Sequence, residues 1–178
     1  MEHESELAEI YVQPGESRLT TDPVILRTLL GSCVAVAFQA PSRSIAALCH
    51  PMLPLSPSHT NGTLIRNPER YVDFAIRALA SRFDALGIPR AEMVVKLFGG
   101  ADVLHVFDQR TRPTVGRLNG ETALRVLRDE GFHVAASSLG GTRGLNLRFN
   151  TRTGEVLVRR LGSDRPHNTR IASAPRSE

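Results

Sequence analysis

The runs LGSCVAVAF (residues 30–38) and IAALCH (residues 45–50) decide the fold of this chain. Both runs are apolar, and the segment QAPSRS that separates them is polar and contains a proline. Two apolar runs joined by a short polar segment predict a β-hairpin. The other predicted elements can be arranged around this hairpin.

The pairing of the two predicted strands determines which side chains meet. If Phe38 pairs with Ile45, Cys33 lies directly opposite His50, and opposed Cβ atoms are about 4.5–5.5 Å apart. Side chains alternate along a strand, so this register predicts a bulky apolar face and a face of small residues that leaves room for a substrate. The bulky face holds Val34, Val36, Phe38, Ile45, Ala47 and Cys49, and the small face holds Cys33, Ala35, Ala37, Ala46, Leu48 and His50.

A thiol and an imidazole are the minimum parts of a cysteine-dependent acyl transfer. Cys33 is the predicted nucleophile and His50 the predicted base, because Cys49 points to the apolar face, where free cysteines usually pack. The alternative is an inert thiol beside a structural histidine. A one-residue slip of the register would place Cys33 and His50 on opposite faces.

Other uses of these residues are less favoured. A disulfide is disfavoured because the register turns the two cysteines to opposite faces. The permitted zinc ligands are Cys33, Cys49, His50 and His59. However, the adjacent Cys49 and His50 would have to point the same way, and the sequence has no CxxC pair. Since phosphate-binding glycine motifs are also missing from the sequence, we expect no metal or organic cofactor.

Hydrophobic spacing elsewhere predicts two main helices and six further strands. One helix opens at residues 67–70 and ends at Gly87, and the second runs from Asn119 to about Glu130. Lys96, in a predicted strand, is expected to extend its ammonium group to solvent. The alternative is that it orients a substrate carboxamide or binds an acidic receptor surface. The six strands are expected at 10–12, 24–30, 93–98, 132–136, 145–149 and 156–160. The predicted class is an α/β layered fold containing a mixed β-sheet, with the two helices beside it.

Length and composition fit one domain. A chain of 178 residues with 41% hydrophobic content can bury a single sizeable core. We expect residues 1–161 to form this domain. Residues 162–178 are rich in Ser, Arg and Pro and are expected to be a disordered tail.

The formal net charge of +4 does not indicate a nucleic-acid partner. Residues 159–178 hold five arginines and two acids, a surplus of three, so the residues before them sum to only +1. Aromatic residues make up 5% of the chain, which is too few for base stacking. Two cysteines, no signal-peptide pattern and no apolar run of membrane-spanning length predict a cytoplasmic protein without direct membrane insertion.

Six motifs give the chain a recognisable pattern, which covers roughly residues 10–160. In chain order they are LLGSCVAV (29–36), CHPMLP (49–54), KLFGGA (96–101), VGRLN (115–119), LGGT (139–142) and TGEV (153–156). Together they resemble the CheD family of chemoreceptor glutamine deamidases. The resemblance implies a β-sandwich flanked by helices, and hydrolysis of receptor glutamine side chains to glutamate. It carries the role of nucleophile to Cys33 and that of base to His50.

The resemblance also implies partners and a third site residue. The expected partners are the cytoplasmic helical region of methyl-accepting chemotaxis receptors and a CheC-like phosphatase. Glutamyl methyl esters are a second expected substrate of the same Cys–His mechanism, since only the leaving group differs. In one branch of the family a threonine stands six residues before the cysteine, where this chain has Arg27. We assign the role to Thr28, because a hydroxyl can orient an imidazole and arginine cannot accept a hydrogen bond. A plain strand residue is the alternative for Thr28.

Two other functions stay open at this point. The chain could be a non-catalytic adaptor that binds receptors or a CheC-type phosphatase, and the offset of Thr28 favours that function. It could also be a cysteine peptidase, which would need a cleft for an extended backbone. Ammonia release without chain cleavage distinguishes the deamidase from both.

Overall fold

A computed structural model describes residues 7–57, 65–103, 113–162 and 169–171. Residues 169–171 are described as backbone only. Within these ranges the chain forms ten strands and two α-helices. The strands are β1 (Glu9–Tyr11), β2 (Ser17–Thr20), β3 (Ile25–Leu30), β4 (Val34–Ala40), β5 (Ile45–Cys49), β6 (Val94–Gly99), β7 (Val134–Leu139), β8 (Leu145–Asn150), β9 (Val156–Arg160) and β10 (Thr169–Ile171). The helices are α1 (Val72–Ala85) and α2 (Val115–Asp129).

The strands form two five-stranded sheets. The outer sheet has the order β1-β3-β8-β9-β10 and the inner sheet the order β2-β5-β4-β6-β7. Both sheets are mixed, because β1 runs parallel to β3 and β6 runs parallel to β7 while the other pairs are antiparallel. The predicted class, an α/β β-sandwich flanked by two main helices, is confirmed.

The inner sheet is the middle layer of the molecule. Both helices pack on one of its faces, where Phe38 of β4 lies 5.4 Å from Phe83 of α1 and 5.2 Å from Phe132, measured between ring centroids. The outer sheet covers its other face. Every residue of β4 is therefore buried, which explains why its sequence is apolar on both faces except at Gln39.

The small face of the hairpin does not form a substrate pocket, contrary to the sequence prediction. Ala35, Ala37 and Ala46 are buried between the sheets, together with Leu26 and Phe149 of the outer sheet. Small side chains on one sheet leave room for bulky ones on the other. The predicted space is therefore filled by protein.

The hairpin exists, but its predicted register is wrong by two residues. Phe38 pairs with Ala47, and Ala40 with Ile45, because β4 continues to Ala40. A single turn of 3-10 helix, Pro41–Arg43, and Ser44 with a φ of 51° close the loop. A shift of two residues leaves every side chain on its predicted face.

The helix starts also differ from the predictions. Asn67 has a φ of 49° and makes no side-chain cap, and a 3-10 turn (Pro68–Arg70) precedes α1. In contrast, α2 begins four residues earlier than predicted, since the Thr114 side chain accepts a hydrogen bond from the Arg117 N–H at 3.3 Å.

Lys96 is buried rather than extended to solvent, so that prediction was wrong. The side chain is 2% exposed, and its Nζ donates to the Gly154 carbonyl at 2.8 Å. Burial lowers the pKa of Lys96, and the nearby Glu155 carboxylate raises it in part. The residue lies opposite Ala37, on the face of β6 that the outer sheet covers.

Strand β10 pairs antiparallel with β9 and lies inside the segment 162–178. The expectation of a disordered tail is therefore wrong for residues 169–171, while 163–168 and 172–178 lie outside the described residues. The domain boundary at 161 stays a prediction. Among the described helices, none is long and apolar enough to cross a membrane.

Candidate functional site

Cys33 lies at the entrance to β4, beside a surface cavity. It follows the bend at Gly31 and Ser32 and is partly exposed. The cavity has a volume of about 360 Å³. Its lining consists of Ser32, Cys33, Met52, Leu53, Arg70, Ala101, Asp102, Val103, Thr114, Val115 and Gly116. A ligand in this cavity would contact Cys33.

His50 follows β5 and is fully buried between the two sheets. Its Nδ1 lies 2.7 Å from the Oγ1 of Thr28, a buried residue of β3 in the outer sheet. The same Oγ1 lies 2.8 Å from the carbonyl oxygen of Val12. The predicted pair of Thr28 and His50 is thus brought together by the packing of one sheet on the other.

The hydrogen bonds of Thr28 determine the tautomer of His50. The hydroxyl has one proton, and the carbonyl of Val12 can only accept, so the Thr28 hydroxyl donates to Val12. The Oγ1 must then accept from His50 Nδ1–H. Consequently Nε2 carries the free lone pair, and it has no hydrogen-bond partner among the described residues. A buried imidazole with an unpartnered Nε2 is arranged as a proton acceptor.

Cys33 and His50 are diagonal neighbours rather than directly opposed. The Val34 N–H donates to the Pro51 carbonyl at 3.3 Å, which continues the register of the hairpin beyond its last paired residues. Moving one residue further along both strands places Cys33 opposite Met52. His50 is two residues before Met52, so it lies on the same face of the hairpin as Met52 and Cys33. Diagonal residues are about 7–8 Å apart at Cα, within reach of long side chains. The predicted direct opposition was wrong.

The two cysteines lie in different environments. Cys33 contacts the core between the sheets, whereas Cys49 is fully buried in the core under the helices. Burial raises the pKa of Cys49 to about 12. Both thiols are free. The prediction that Cys49 is a core cysteine is confirmed.

Burial also determines the charge state of the candidate pair. It raises the pKa of the Cys33 thiol, although the backbone N–H of Cys33 lowers it in part. It lowers the pKa of His50, and the Val12 carbonyl opposes that shift only in part. Near neutral pH the site therefore holds a neutral thiol and a neutral imidazole. Reaction would require proton transfer to Nε2 rather than a preformed ion pair.

Glycines allow the backbone to close tightly around Cys33. A Cβ on Gly99, whose φ is 101°, would lie 2.4 Å from the Cys33 carbonyl oxygen. A Cβ on Gly116 at the start of α2 would lie 2.5 Å from the Ala101 carbonyl oxygen. The Gly100 N–H donates to the Cys33 carbonyl at 2.7 Å. The KLFGGA and VGRLN motifs thus pack the β6 loop and α2 against the cysteine.

One buried residue near the site was not assigned a role from the sequence. Asn119 is fully buried in α2, and its Nδ2 donates to the carbonyls of Ser32 and Met52, both at 2.9 Å. From the sequence, Asn119 was predicted only to start a helix. Its membership in the VGRLN motif was the available signal.

No cluster of three or more His, Cys, Asp or Glu that could hold a metal ion occurs among the described residues. His59, the fourth candidate zinc ligand, lies outside them. Cys49 and His50 contact different layers of the molecule, so those two candidates do not converge.

The fold and the site together define a class: a three-layer α/β protein in which one hairpin carries a cavity-lining cysteine and, on the same face, a buried histidine hydrogen-bonded to a threonine. The family model described as CheD chemotactic sensory transduction matches residues 52–160. The chain is 44% identical over 156 residues to a Geobacter sulfurreducens protein named probable chemoreceptor glutamine deamidase CheD 2, covering 87% of this chain and 91% of that protein. The chain belongs to the CheD family.

Other relatives agree with this assignment. A Nitratidesulfovibrio vulgaris protein named probable chemoreceptor glutamine deamidase CheD is 38% identical, over 90% of this chain and 81% of its own length. A protein of the same name from Archaeoglobus fulgidus is 34% identical, over 85% and 93% respectively. Among solved structures, a Bacillus licheniformis hypothetical protein, YfiH, matches 71% of this chain and 51% of its own, with 14% identity and a TM-score of 0.48. That structural similarity is too low to support an inference.

Proposed function

We propose that this chain is a chemoreceptor glutamine deamidase, which hydrolyses glutamine side chains of methyl-accepting chemotaxis receptors to glutamate. Membership of the CheD family and the names of its relatives support this function. The observation that carries the mechanism is the unpartnered Nε2 of His50, whose ring is held by Thr28 and which lies on the same face of the hairpin as the cavity-lining Cys33.

The reaction begins with proton transfer from the Cys33 thiol to Nε2 of His50. The resulting thiolate attacks the carbonyl carbon of the glutamine carboxamide. The imidazolium then keeps its Nδ1–H on the Thr28 oxygen, so that its other proton, on Nε2, is directed at the substrate. A neutral His50 before the reaction supports this role, because a base must be unprotonated to act.

The negative charge that develops on the carboxamide oxygen needs a hydrogen-bond donor. The Cys33 N–H donates to no carbonyl of another described residue. It also lies close enough to its own sulfur to lower the thiol pKa. We therefore assign the Cys33 N–H as one donor of the oxyanion hole.

The tetrahedral intermediate collapses when Nε2–H gives its proton to the leaving nitrogen. Ammonia departs and a thioester joins Cys33 to the glutamyl side chain. A water molecule then loses a proton to Nε2 and attacks the thioester carbonyl. Glutamate is released, and the thiol is reformed by the proton that His50 returns. A glutamyl methyl ester could follow the same steps, since only the leaving group differs.

The rim of the cavity supports a helical partner. Val103 and Val115 line the cavity and are 40% and 45% exposed. Apolar side chains around the thiol would pack against the apolar face of a helix that presents a glutamine. We propose the cytoplasmic helical region of the receptors as this partner. Binding of a CheC-like phosphatase stays a prediction from the family resemblance.

The adaptor alternative loses the feature that favoured it. The offset of Thr28 in the sequence suggested an incomplete site, yet Thr28 Oγ1 lies within hydrogen-bond distance of His50. Arg27, at the family position, is exposed and pairs with Glu9 at 3.4 Å.

Ammonia release from a purified receptor cytoplasmic fragment tests the proposed function. The wild-type protein should release ammonia without shortening the fragment, and Cys33→Ala should release none. Cleavage of the fragment would indicate a peptidase. Binding of the fragment by the wild-type protein without any ammonia release would indicate an adaptor.

A further inference from the structure

The two strands of the hairpin that carries Cys33 and His50 share few backbone hydrogen bonds near these residues. Where Val34 faces Pro51, only the Val34 N–H can donate, because proline has no N–H. The next hydrogen-bonded position would join Ser32 to Leu53. However, the Leu53 N–H donates to the Arg70 carbonyl at 3.0 Å, so it is not available to Ser32. The regular strand hydrogen bonds therefore end just where the nucleophile and the base must be held together.

Asn119 joins the two segments at this gap. Its Nδ2 has two protons, and they are donated to Ser32, which precedes Cys33, and to Met52, which follows His50 by two residues. Both donor–acceptor distances are 2.9 Å. The side chain comes from α2, so the helix ties the two ends of the hairpin from outside the sheet.

We infer that Asn119 is a positioning residue for the deamidation reaction, which sets the separation of the Cys33 thiol and the His50 imidazole by bridging the backbone beside each. This inference rests on the proposed function. Asn119 touches neither reacting atom, so it acts through the two segments that it joins.

The chemistry of the position supports this role over a purely structural one. Both neighbours are carbonyl oxygens, so the side chain must offer two protons from one atom, which a carboxamide does and a carboxylate does not. The Oδ1 of Asn119 has no donor among the described residues. A buried acceptor without a donor destabilises a fold, so stability alone does not explain asparagine here.

The test compares Asn119→Ala with Val126→Ala in the full chain. Val126 lies two turns further along α2, is 1% exposed and packs in the core under the helices, away from Cys33. Both substitutions should destabilise the protein, and thermal unfolding measures by how much. Only the first removes the bridge. Receptor deamidation, and alkylation of Cys33 by iodoacetamide as a function of pH, are then measured for each.

Asn119→Ala should lower kcat by about 10- to 100-fold, because small errors in the placement of reacting groups strongly lower the rate. Its KM should stay within about twofold of the wild-type value. Its alkylation rate should lose the dependence on His50 and resemble that of His50→Ala. Val126→Ala should keep the wild-type kcat and alkylation profile. Asn119→Ser, which offers one proton, should have a kcat between those of Asn119→Ala and the wild-type protein. It serves as the test variant if Asn119→Ala does not fold.

A wild-type kcat and alkylation profile in Asn119→Ala would overturn the inference. So would an equal loss in Val126→Ala, which would mean that the effect follows stability alone. The alkylation profile needs no receptor. If the wild-type protein proves inactive on receptors, the proposed function fails, and the alkylation profile still decides whether Asn119 positions the thiol and the imidazole.

Discussion

Replacing Thr28 by Val should separate the role of its hydroxyl from the role of its shape. The substitution keeps the β-branched side chain inside the sandwich but removes the oxygen that accepts from His50 and donates to Val12. We expect the protein to fold, to bind a receptor fragment normally and to deamidate it slowly. Binding is retained because Thr28 is 1% exposed and does not line the cavity.

The structure gives the expected magnitudes. The Nδ1–H of His50 and the carbonyl of Val12 both lose a buried partner, and each such loss costs about 1–3 kcal/mol. Nδ1 lies 3.5 Å from the Val12 oxygen, so a small ring rotation would let these two groups pair. We therefore expect a loss of about 2–4 kcal/mol in the free energy of unfolding. The same rotation misdirects Nε2, and kcat should fall about 10²-fold, a part of what a general base contributes.

Thr151→Val is the matched control. The Thr151 hydroxyl likewise accepts one hydrogen bond, in this case from the Val24 backbone N–H at 2.9 Å, and lies 3.0 Å from the carbonyls of Asp22 and Val24. It is buried at the opposite end of β3 from the cavity. Urea unfolding should show comparable losses of stability in both variants, and ammonia release should show a loss of kcat only in Thr28→Val. An unchanged kcat in Thr28→Val, or an equal loss in Thr151→Val, would refute the role of Thr28.

Two further predictions concern the thiols and the pH dependence. Iodoacetamide should label Cys33 before Cys49, whose pKa of about 12 leaves almost no thiolate at neutral pH; faster labelling of Cys49, located by peptide mass mapping, would show that the nucleophile is misassigned. The plot of kcat/KM against pH should fall on the acid side with a midpoint below the ordinary histidine value of about 6.5, because burial lowers the pKa of His50. The unfolded chain then binds a proton that the folded chain does not. Stability should therefore fall as pH drops below about 6.5, by at most about 1.4 kcal/mol per unit from this group. An acid limb above pH 6.5 would contradict the buried, neutral base.

The sequence predicted the layers and the faces of the hairpin because these depend on local patterns. Alternation around Phe38 and Cys49 determines which side chains point to the helices, whatever the exact pairing. The register itself was wrong because it depends on the loop, where a 3-10 turn and the positive φ of Ser44 let β4 run to Ala40. A short polar strand such as β2 carries no apolar pattern and was missed.

The candidate site was predicted in its chemistry more than in its geometry. Thr28 was chosen over Arg27 from hydrogen-bonding capacity, and the packing of the two sheets brings Thr28 to His50. Asn119 was not assigned a role, because its two hydrogen bonds depend on how α2 docks on residues 67 and 87 positions away in the chain. Contacts of that kind follow from tertiary packing and leave little local signal.

Mass spectrometry of a receptor cytoplasmic fragment, incubated with the wild-type protein and separately with Cys33→Ala, tests the central claim most directly. Each deamidation replaces an NH₂ by an OH through the thioester and raises the mass of one glutamine-containing peptide by about 1 Da. We predict this increase at defined glutamines with the wild-type protein, and an unchanged fragment with Cys33→Ala. An unchanged fragment in both samples, although the wild-type protein binds it, would contradict the account.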